Sequence, residues 1–251
     1  MPYYSRYDDL YREFYEKGFR NWWYGPDPKK TVGLVKRLTS RILEVRPNPQ
    51  GARIIELGCG EAPWATAFAS LGMKYTGVDY SSHAIARGRE QTGQSGLDIH
   101  LQVMDVLEFD PDIQENRYDI VFDQRCLQMF VIDEDRRKYL SNVKQIMGKH
   151  SAFIVTDLSR KENAFEGEIQ TIEQYQEVTG EDLSEPREWD AWDGKNRVSV
   201  KLPRFAIRSK SRQGYINEVE EAGFRIGTVY DDFEYGDGGQ RGNVIDLILT
   251  L

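Results

Sequence analysis

The chain has 251 residues, yet only two are cysteine and three are histidine. Cys59 and Cys126 lie far apart in different candidate elements, so neither a disulfide scaffold nor a cysteine-based metal site is expected. His83, His100 and His150 show no ligand spacing, and no bound metal is expected. Positive charge is also scarce: 33 Lys and Arg against 41 Asp and Glu give a formal charge of -8. Phosphate backbones are bound by clustered cations that release counterions, so nucleic acid is a poor expectation as a partner. Long apolar runs are missing too, and the opening residues MPYYSRYDDLYREF are polar and charged. No signal peptide and no membrane span are expected, and the expected compartment is the cytoplasm.

Aromatic residues are plentiful, at 12% with 14 Tyr and 5 Trp. They imply a thick core or an aromatic-lined pocket. The length suits one α/β domain with added segments, and the whole of 1–251 is expected to form it. Residues 1–50 read as a helical cap: Tyr7, Leu10, Tyr11, Phe14 and Tyr15 recur at helical spacing, Gly25, Pro26 and Pro28 interrupt, and a second amphipathic helix covers Thr31 to Val45. A core of 51–158 follows. There the short apolar runs Ala52 to Leu57, Tyr75 to Val78, Ile99 to Val103, Tyr118 to Phe122 and Ala152 to Thr156 alternate with helical or loop stretches. That rhythm predicts a parallel sheet with helices on both faces. Residues 159–212 break it as an insertion with no further apolar strand, acidic up to Asp193 and basic from Lys195, with a helix over Gly167 to Thr179 and the potential to act as a lid. The last segment, 213–251, predicts a helix stopped by Gly223 and an antiparallel pair of strands.

The strongest local signal is Glu56-Leu-Gly58-Cys59-Gly60-Glu-Ala62, at the carboxyl end of the first strand and ahead of a helix over Trp64 to Ser70. Gly58 and Gly60 let the backbone turn sharply and approach a ligand, while the helix offers free N–H groups. The second strand ends in Asp79, placed where a carboxylate accepts hydrogen bonds from ribose hydroxyls. The third glycine of a dinucleotide turn is replaced by Pro63. The expected ligand is therefore one with an adenosine and an amino-acid end but no phosphate, which is S-adenosylmethionine.

In these residues the chain resembles the class I S-adenosylmethionine-dependent methyltransferases. ELGCGEA matches their first motif, GVDYS the second, MDV the third and YDIVFD the fourth, over roughly Ala52 to Thr156 and again in the final helix and strands. The resemblance implies a Rossmann-like doubly wound α/β sheet, mostly parallel with a C-terminal antiparallel hairpin. It also implies that S-adenosylmethionine is the cofactor and S-adenosylhomocysteine the product. Gly58 and Gly60 would pass under the methionine part, with Glu56, Cys59 and Tyr80 nearby. Asp79 would hold the ribose, and Asp105 with the backbone of Val106 would face the adenine edge. Asp123 would line the cofactor or acceptor pocket and is the candidate general base. Glu56 is also placed to cap the following helix, and Asp105 and Asp123 to begin loops. The stretch after the fourth strand is similar, more narrowly, to thiopurine and tellurite methyltransferases through Asp123, Cys126, Arg137 and Tyr139, with Arg125 standing where glycine is usual.

Trp22, Trp23 and Tyr24 are candidates to enclose the sulfonium and the acceptor, because aromatic faces attract cations and exclude water. Trp23 is assigned to the cofactor, and Trp22, Tyr24, Arg125, Trp189 and Trp192 to the acceptor pocket. The expected activity is methyl transfer to the sulfur, nitrogen or oxygen of a small-molecule acceptor. A protein lysine methyltransferase is the alternative enzyme, and a non-catalytic cofactor-binding or interaction module the alternative of another class.

Overall fold

A seven-stranded sheet with order β3-β2-β1-β4-β5-β9-β8 organises the chain. The computed structural model describes residues 2–19, 22, 28–109, 117–192, 196–233 and 243–251. The parallel strands are β1 (Arg53–Leu57), β2 (Lys74–Asp79), β3 (Ile99–Val103), β4 (Tyr118–Gln124) and β5 (Met147–Ser159), as their apolar runs predict. The strands β8 (Arg225–Phe233) and β9 (Asn243–Thr250) close one edge, with β9 antiparallel to both β5 and β8.

Period-two side-chain alternation divides the core into two layers. Ile54, Phe122 and Ile154 point to the face covered by α2 (Pro28–Val45), α3 (Ala65–Ser70) and α4 (Ser82–Thr92). Their neighbours Ile55, Val121 and Phe153 point to the opposite face, under α5 (Asp133–Ile146) and α7 (Arg212–Glu221). The helix expected to begin at Trp64 begins at Ala65. The fifth strand is longer than its apolar run, because α5 passes directly into it at Met147.

The insertion differs from expectation. Its helix, α6 (Ile172–Thr179), is shorter than predicted, because the Thr171 side chain caps its first turn and Gly180, at φ 71°, ends it. The segment where no strand was expected forms an antiparallel hairpin of β6 (Arg187–Trp192) and β7 (Arg197–Leu202). Charged residues alternate there with Trp189, Ala191, Val198 and Val200, so one face is apolar although the stretch as a whole is not. That face packs on Leu10 and Phe14 of α1 (Arg6–Glu16). Among the described residues, no helix is long and apolar enough to cross a membrane.

Candidate functional site

A cavity of about 120 Å³ lies at the carboxyl ends of β1 to β4, between the sheet and α1. The turn after β1 forms its floor. Gly58, Gly60 and Ala62 adopt φ of 66°, 55° and 53°, alternating with ordinary residues. A Cβ on Gly58 would lie 2.7 Å from the Cys126 sulfur, and one on Gly60 would lie 2.6 Å from the Tyr11 hydroxyl. Both glycines are therefore required by close approach as well as by φ. Ala62 takes the left-handed position nearest the missing third glycine.

Asp79, at the end of β2, turns its carboxylate to this floor and accepts 2.8 Å hydrogen bonds from the backbone N–H groups of Gly60 and Ser81. Burial pushes its carboxyl up to about 6, against the lowering effect of those two bonds. Asp105 follows β3. It accepts from the Tyr4 hydroxyl at 2.8 Å and from Leu107 N–H at 2.9 Å. Tyr80 and Val106 complete this part of the wall.

The opposite wall comes from the cap. Tyr4, Tyr7 and Tyr11 line the cavity from one side of the N-terminal segment, with Trp22 beside them. Burial raises the phenol pKa of all three tyrosines, and the Asp105 carboxylate adds to the effect at Tyr4. They stay protonated, and Tyr4 and Tyr7 act as donors. Polar contacts fasten the cap on the sheet. Asp8 accepts from Ser81 Oγ at 2.8 Å, Tyr15 donates to Glu61 at 2.5 Å, and the Trp22 N–H donates to the same Glu61 carboxylate. Tyr7 donates to the Ala206 carbonyl at 2.8 Å, tying the cap to the insertion.

Several expected site residues stand elsewhere. Asp123 is fully buried and absent from the cavity wall, because its carboxylate accepts from Cys126 N–H, Leu127 N–H and the Tyr139 hydroxyl at 2.7 to 2.9 Å. It caps the turn after β4, so the carboxylate expected to act as a base and cofactor ligand is turned away from the cavity. Glu56 is also spent inside the fold. It accepts from Tyr75 at 2.5 Å, and burial pushes its carboxyl up to about 8. Cys59 is buried with its sulfur toward Gly77, off the wall. Trp189 does not line the cavity itself. It stacks on Phe205 at 5.2 Å and meets Trp22 at 5.5 Å, so it backs two residues that do. Arg125 and Trp22 line the cavity. Trp23, Tyr24 and the side chain of Trp192 lie outside the described residues.

Residues missed from the sequence are the wall-forming Tyr4, Gln124, Met129, Phe130 and Phe205. A readable signal existed only for the cap: Tyr4, Tyr7 and Tyr11 recur at intervals of three and four, which place them on one helical face.

The chemistry of this wall fits S-adenosylmethionine. Two carboxylates end adjacent strands, a glycine turn leaves backbone exposed between them and β4, and aromatic rings face both.

Comparison with known proteins agrees with this geometry. A family model described as "Methyltransferase domain" matches residues 48–221. The ubiquinone biosynthesis O-methyltransferase of Coxiella burnetii is 23% identical over 146 residues, which cover 58% of this chain and 60% of that one. The chain thus spans about 60% of the length of the curated relatives it first matches. The CcbJ methyltransferase from Streptomyces caelestis superposes with a TM-score of 0.64 over 98% of each chain at 13% identity. The glycopeptide N-methyltransferase MtfA, solved with S-adenosyl-L-methionine, gives a TM-score of 0.57 at 16% identity, covering 85% of this chain and 92% of that one.

Proposed function

The chain belongs to the class I S-adenosylmethionine-dependent methyltransferases, and from that premise we propose that it methylates a small molecule held in the aromatic cavity beneath α1. The observation that carries this reading is the cavity itself, which brings Gly58, Gly60, Asp79 and Asp105 to one wall and cap aromatics to the other. Gly58 and Gly60 leave room for the methionine part, Asp79 accepts from the ribose hydroxyls, and Asp105 with Val106 meets the adenine edge.

When bound, S-adenosylmethionine supplies a methyl group already activated by its positive sulfur. The chain's own work is then alignment and exclusion of water. Holding two reactants in attack geometry is worth roughly 7–11 kcal/mol. Tyr7, Tyr11 and Trp22 present aromatic faces to the positive centre and close the site to solvent. No base is assigned. Among the described wall residues the carboxylates are Asp79 and Asp105, both on the cofactor side, and the tyrosines hold their protons. The acceptor therefore brings its own nucleophile, as an amine, a thiol or an ionised hydroxyl.

Of the residues behind the narrower likeness to thiopurine and tellurite enzymes, Cys126 lines the cavity and Tyr139 bonds Asp123 beneath it. Arg137 is on the surface, 3.6 Å from Glu168, so that likeness does not define the acceptor. The roofed shape favours a small acceptor over a peptide, which needs an open groove. It also favours one domain, divided as cap 1–50, core 51–158, insertion 159–212 and C-terminal unit 213–251, since α1 packs on the β6–β7 hairpin above the sheet.

Transfer of labelled methyl from S-adenosylmethionine to a panel of phenols, thiols, amines and lysine peptides tests the proposal. Turnover is expected with small acceptors. Labelling of peptides alone would favour the protein methyltransferase, and cofactor binding without any transfer would favour a non-catalytic module.

A further inference from the structure

A second cavity, of about 560 Å³, opens as a groove between α5 and α7 and shares no lining residue with the cavity under α1. Lys210 is on its wall, although the residue is only 7% exposed. Its ammonium makes no hydrogen bond to any described residue, and its one ion-pair contact among them, to Glu218, is 3.8 Å long. The side chain stays 9% exposed and the nitrogen is not sealed from solvent, so the groove reaches the charge. A lysine this buried is ordinarily paired, because taking a charge out of water is costly without close partners.

The nearby carboxylates are already taken. Glu218 accepts from the Arg136 guanidinium with both oxygens, at 2.5 and 2.7 Å. Asp133 accepts from Arg208 at 2.8 Å and from Ile169 N–H at 2.6 Å. Although burial opposes it, both acids are held below the usual carboxylate range, Glu218 by Arg136 and Asp133 by Ile169 N–H and Arg208. The group thus sets three cations, Arg136, Arg208 and Lys210, against two carboxylates. Burial pulls the Lys210 ammonium below the usual lysine range; Glu218 opposes this, while Arg136 and Arg208 add to it. The other charges of the groove are engaged or distant. Arg137 faces Glu168 at 3.6 Å, Lys144 donates to the Ala222 carbonyl at 2.5 Å, and Glu166 accepts from Ser211 N–H at 2.6 Å. Glu221 is exposed at the last residue of α7. The uncompensated charge is therefore that of Lys210.

The segment that carries this lysine is pinned on both sides. Arg208 N–H donates to the Gln128 carbonyl at 2.8 Å, the Lys210 carbonyl accepts from Lys161 N–H at 3.1 Å, and Ser211 caps α7 by accepting from Gly214 N–H at 3.0 Å. The charge is thus fixed in place before any ligand arrives. Its type says what it suits. A lysine is a compact point charge fit for a phosphate, whereas the guanidinium forks that would grip a planar carboxylate, those of Arg136 and Arg208, are occupied. Most of the remaining wall is polar, with Ser141, Gln213 and Asn217 on it. Such hydroxyl and amide groups both donate and accept, which suits a body rich in hydroxyls.

We propose that the groove between α5 and α7 binds a small hydroxylated molecule bearing a phosphate, and that Lys210 holds the phosphate. The bound anion supplies the negative charge that the buried group lacks. This second site goes beyond the methyltransferase reading and does not depend on it.

Calorimetry at fixed ionic strength tests this, with inorganic phosphate, malonate, glucose 6-phosphate and glucose as probes. Glucose 6-phosphate is expected to bind at least about tenfold more tightly than glucose, and inorganic phosphate at least about threefold more tightly than malonate. Lys210→Met is expected to weaken glucose 6-phosphate at least about tenfold, and Lys210→Arg, which keeps the charge, to stay within about threefold of the parent. In phosphate-free buffer Lys210→Met should melt no lower than the parent, because it removes a buried charge that the chain leaves uncompensated. The proposal is overturned if neither inorganic phosphate nor glucose 6-phosphate binds the parent, if malonate binds as tightly as phosphate, or if binding survives in Lys210→Met. It is also overturned if Lys210→Arg loses as much as Lys210→Met, which would give the effect to packing. A Lys210→Met protein that melts more than about 3 °C lower would overturn it too, since the lysine's charge would then be compensated within the fold.

Discussion

Gly58→Val is expected to abolish S-adenosylhomocysteine binding and to lower stability by about 2–5 kcal/mol, the sum of a left-handed backbone cost and an overpacking cost. The backbone at Gly58 holds φ at 66°, where a branched side chain is strained in any surroundings. The space is filled as well: the first added carbon would meet Cys126 Sγ at 2.7 Å and Cβ at 2.8 Å. Cys126 cannot retreat easily, since its N–H is fixed to Asp123 and its residue is buried. The turn and the loop after β4 are thus fitted to each other, and pushing them apart deforms both halves of the cavity. At about 2–4 °C per kcal/mol for a chain of this size, thermal melting should fall by about 4–20 °C. The two causes separate in a double variant: Gly58→Ala with Cys126→Gly should recover the steric part and leave the backbone part. A Gly58→Val protein that melts and binds like the parent would remove the glycine turn from the site.

Asp246→Ala is expected to destabilise the chain by about 3–5 kcal/mol, the usual cost of leaving buried charges uncompensated. Asp246 is fully buried on β9. It accepts from Arg37 Nη1 at 2.8 Å, from Arg41 Nε at 3.1 Å and from Asp157 N–H at 2.9 Å. Two arginines of α2 and two aspartates of the sheet are therefore joined in one group of paired charges, with Arg41 also 3.3 Å above the Tyr230 ring. Removing one aspartate strands positive charge in the core. The contrast is Glu108→Ala, which breaks an exposed pair with Lys138 and should cost about 0–1 kcal/mol. Differential scanning calorimetry should show one transition for the whole domain, lowered by about 6–20 °C in Asp246→Ala. A shift under about 2 °C would mean that the arginines find water or other partners, contrary to the burial argument. The group also reaches the cavity, through Asp157 to Gln124.

The framework of both arguments was legible in the sequence because it rests on local pattern. Apolar runs of five or six residues placed the five parallel strands, and the glycines and acids at their ends, expected at the cofactor, line one cavity. Asp123 shows where that reasoning fails. An acid at a strand end reads alike whether it faces a cavity or caps the next turn, and the N–H groups at positions 126 and 127 together with the Tyr139 hydroxyl hold it inward. Glu61 carries the opposite lesson. It belongs to the glycine motif yet serves the cap, through Tyr15 and Trp22, a long-range contact that no local pattern specifies. The β6–β7 hairpin was hidden because its charged residues dominate the composition, while its few inward side chains alternate. Phe205 stands between that hairpin and the cap, stacked on Trp189 and beside Tyr7.

The pH dependence of S-adenosylhomocysteine binding tests the central claim, that the cofactor sits on Asp79, most directly. Burial raises this carboxyl to about 6, so it is charged above that pH and protonated below it, and only the charged form accepts fully from both ribose hydroxyls. A raised carboxyl favours the protonated free protein as pH falls, so affinity must decline on the acid side. Between about pH 7.5 and pH 5 the dissociation constant should rise on the order of tenfold, as one linked proton requires. Asp79→Asn should bind more weakly at the upper pH and show no such rise. A parent protein that does not bind at neutral pH, or an asparagine variant with the parent's affinity and pH profile, would contradict the account.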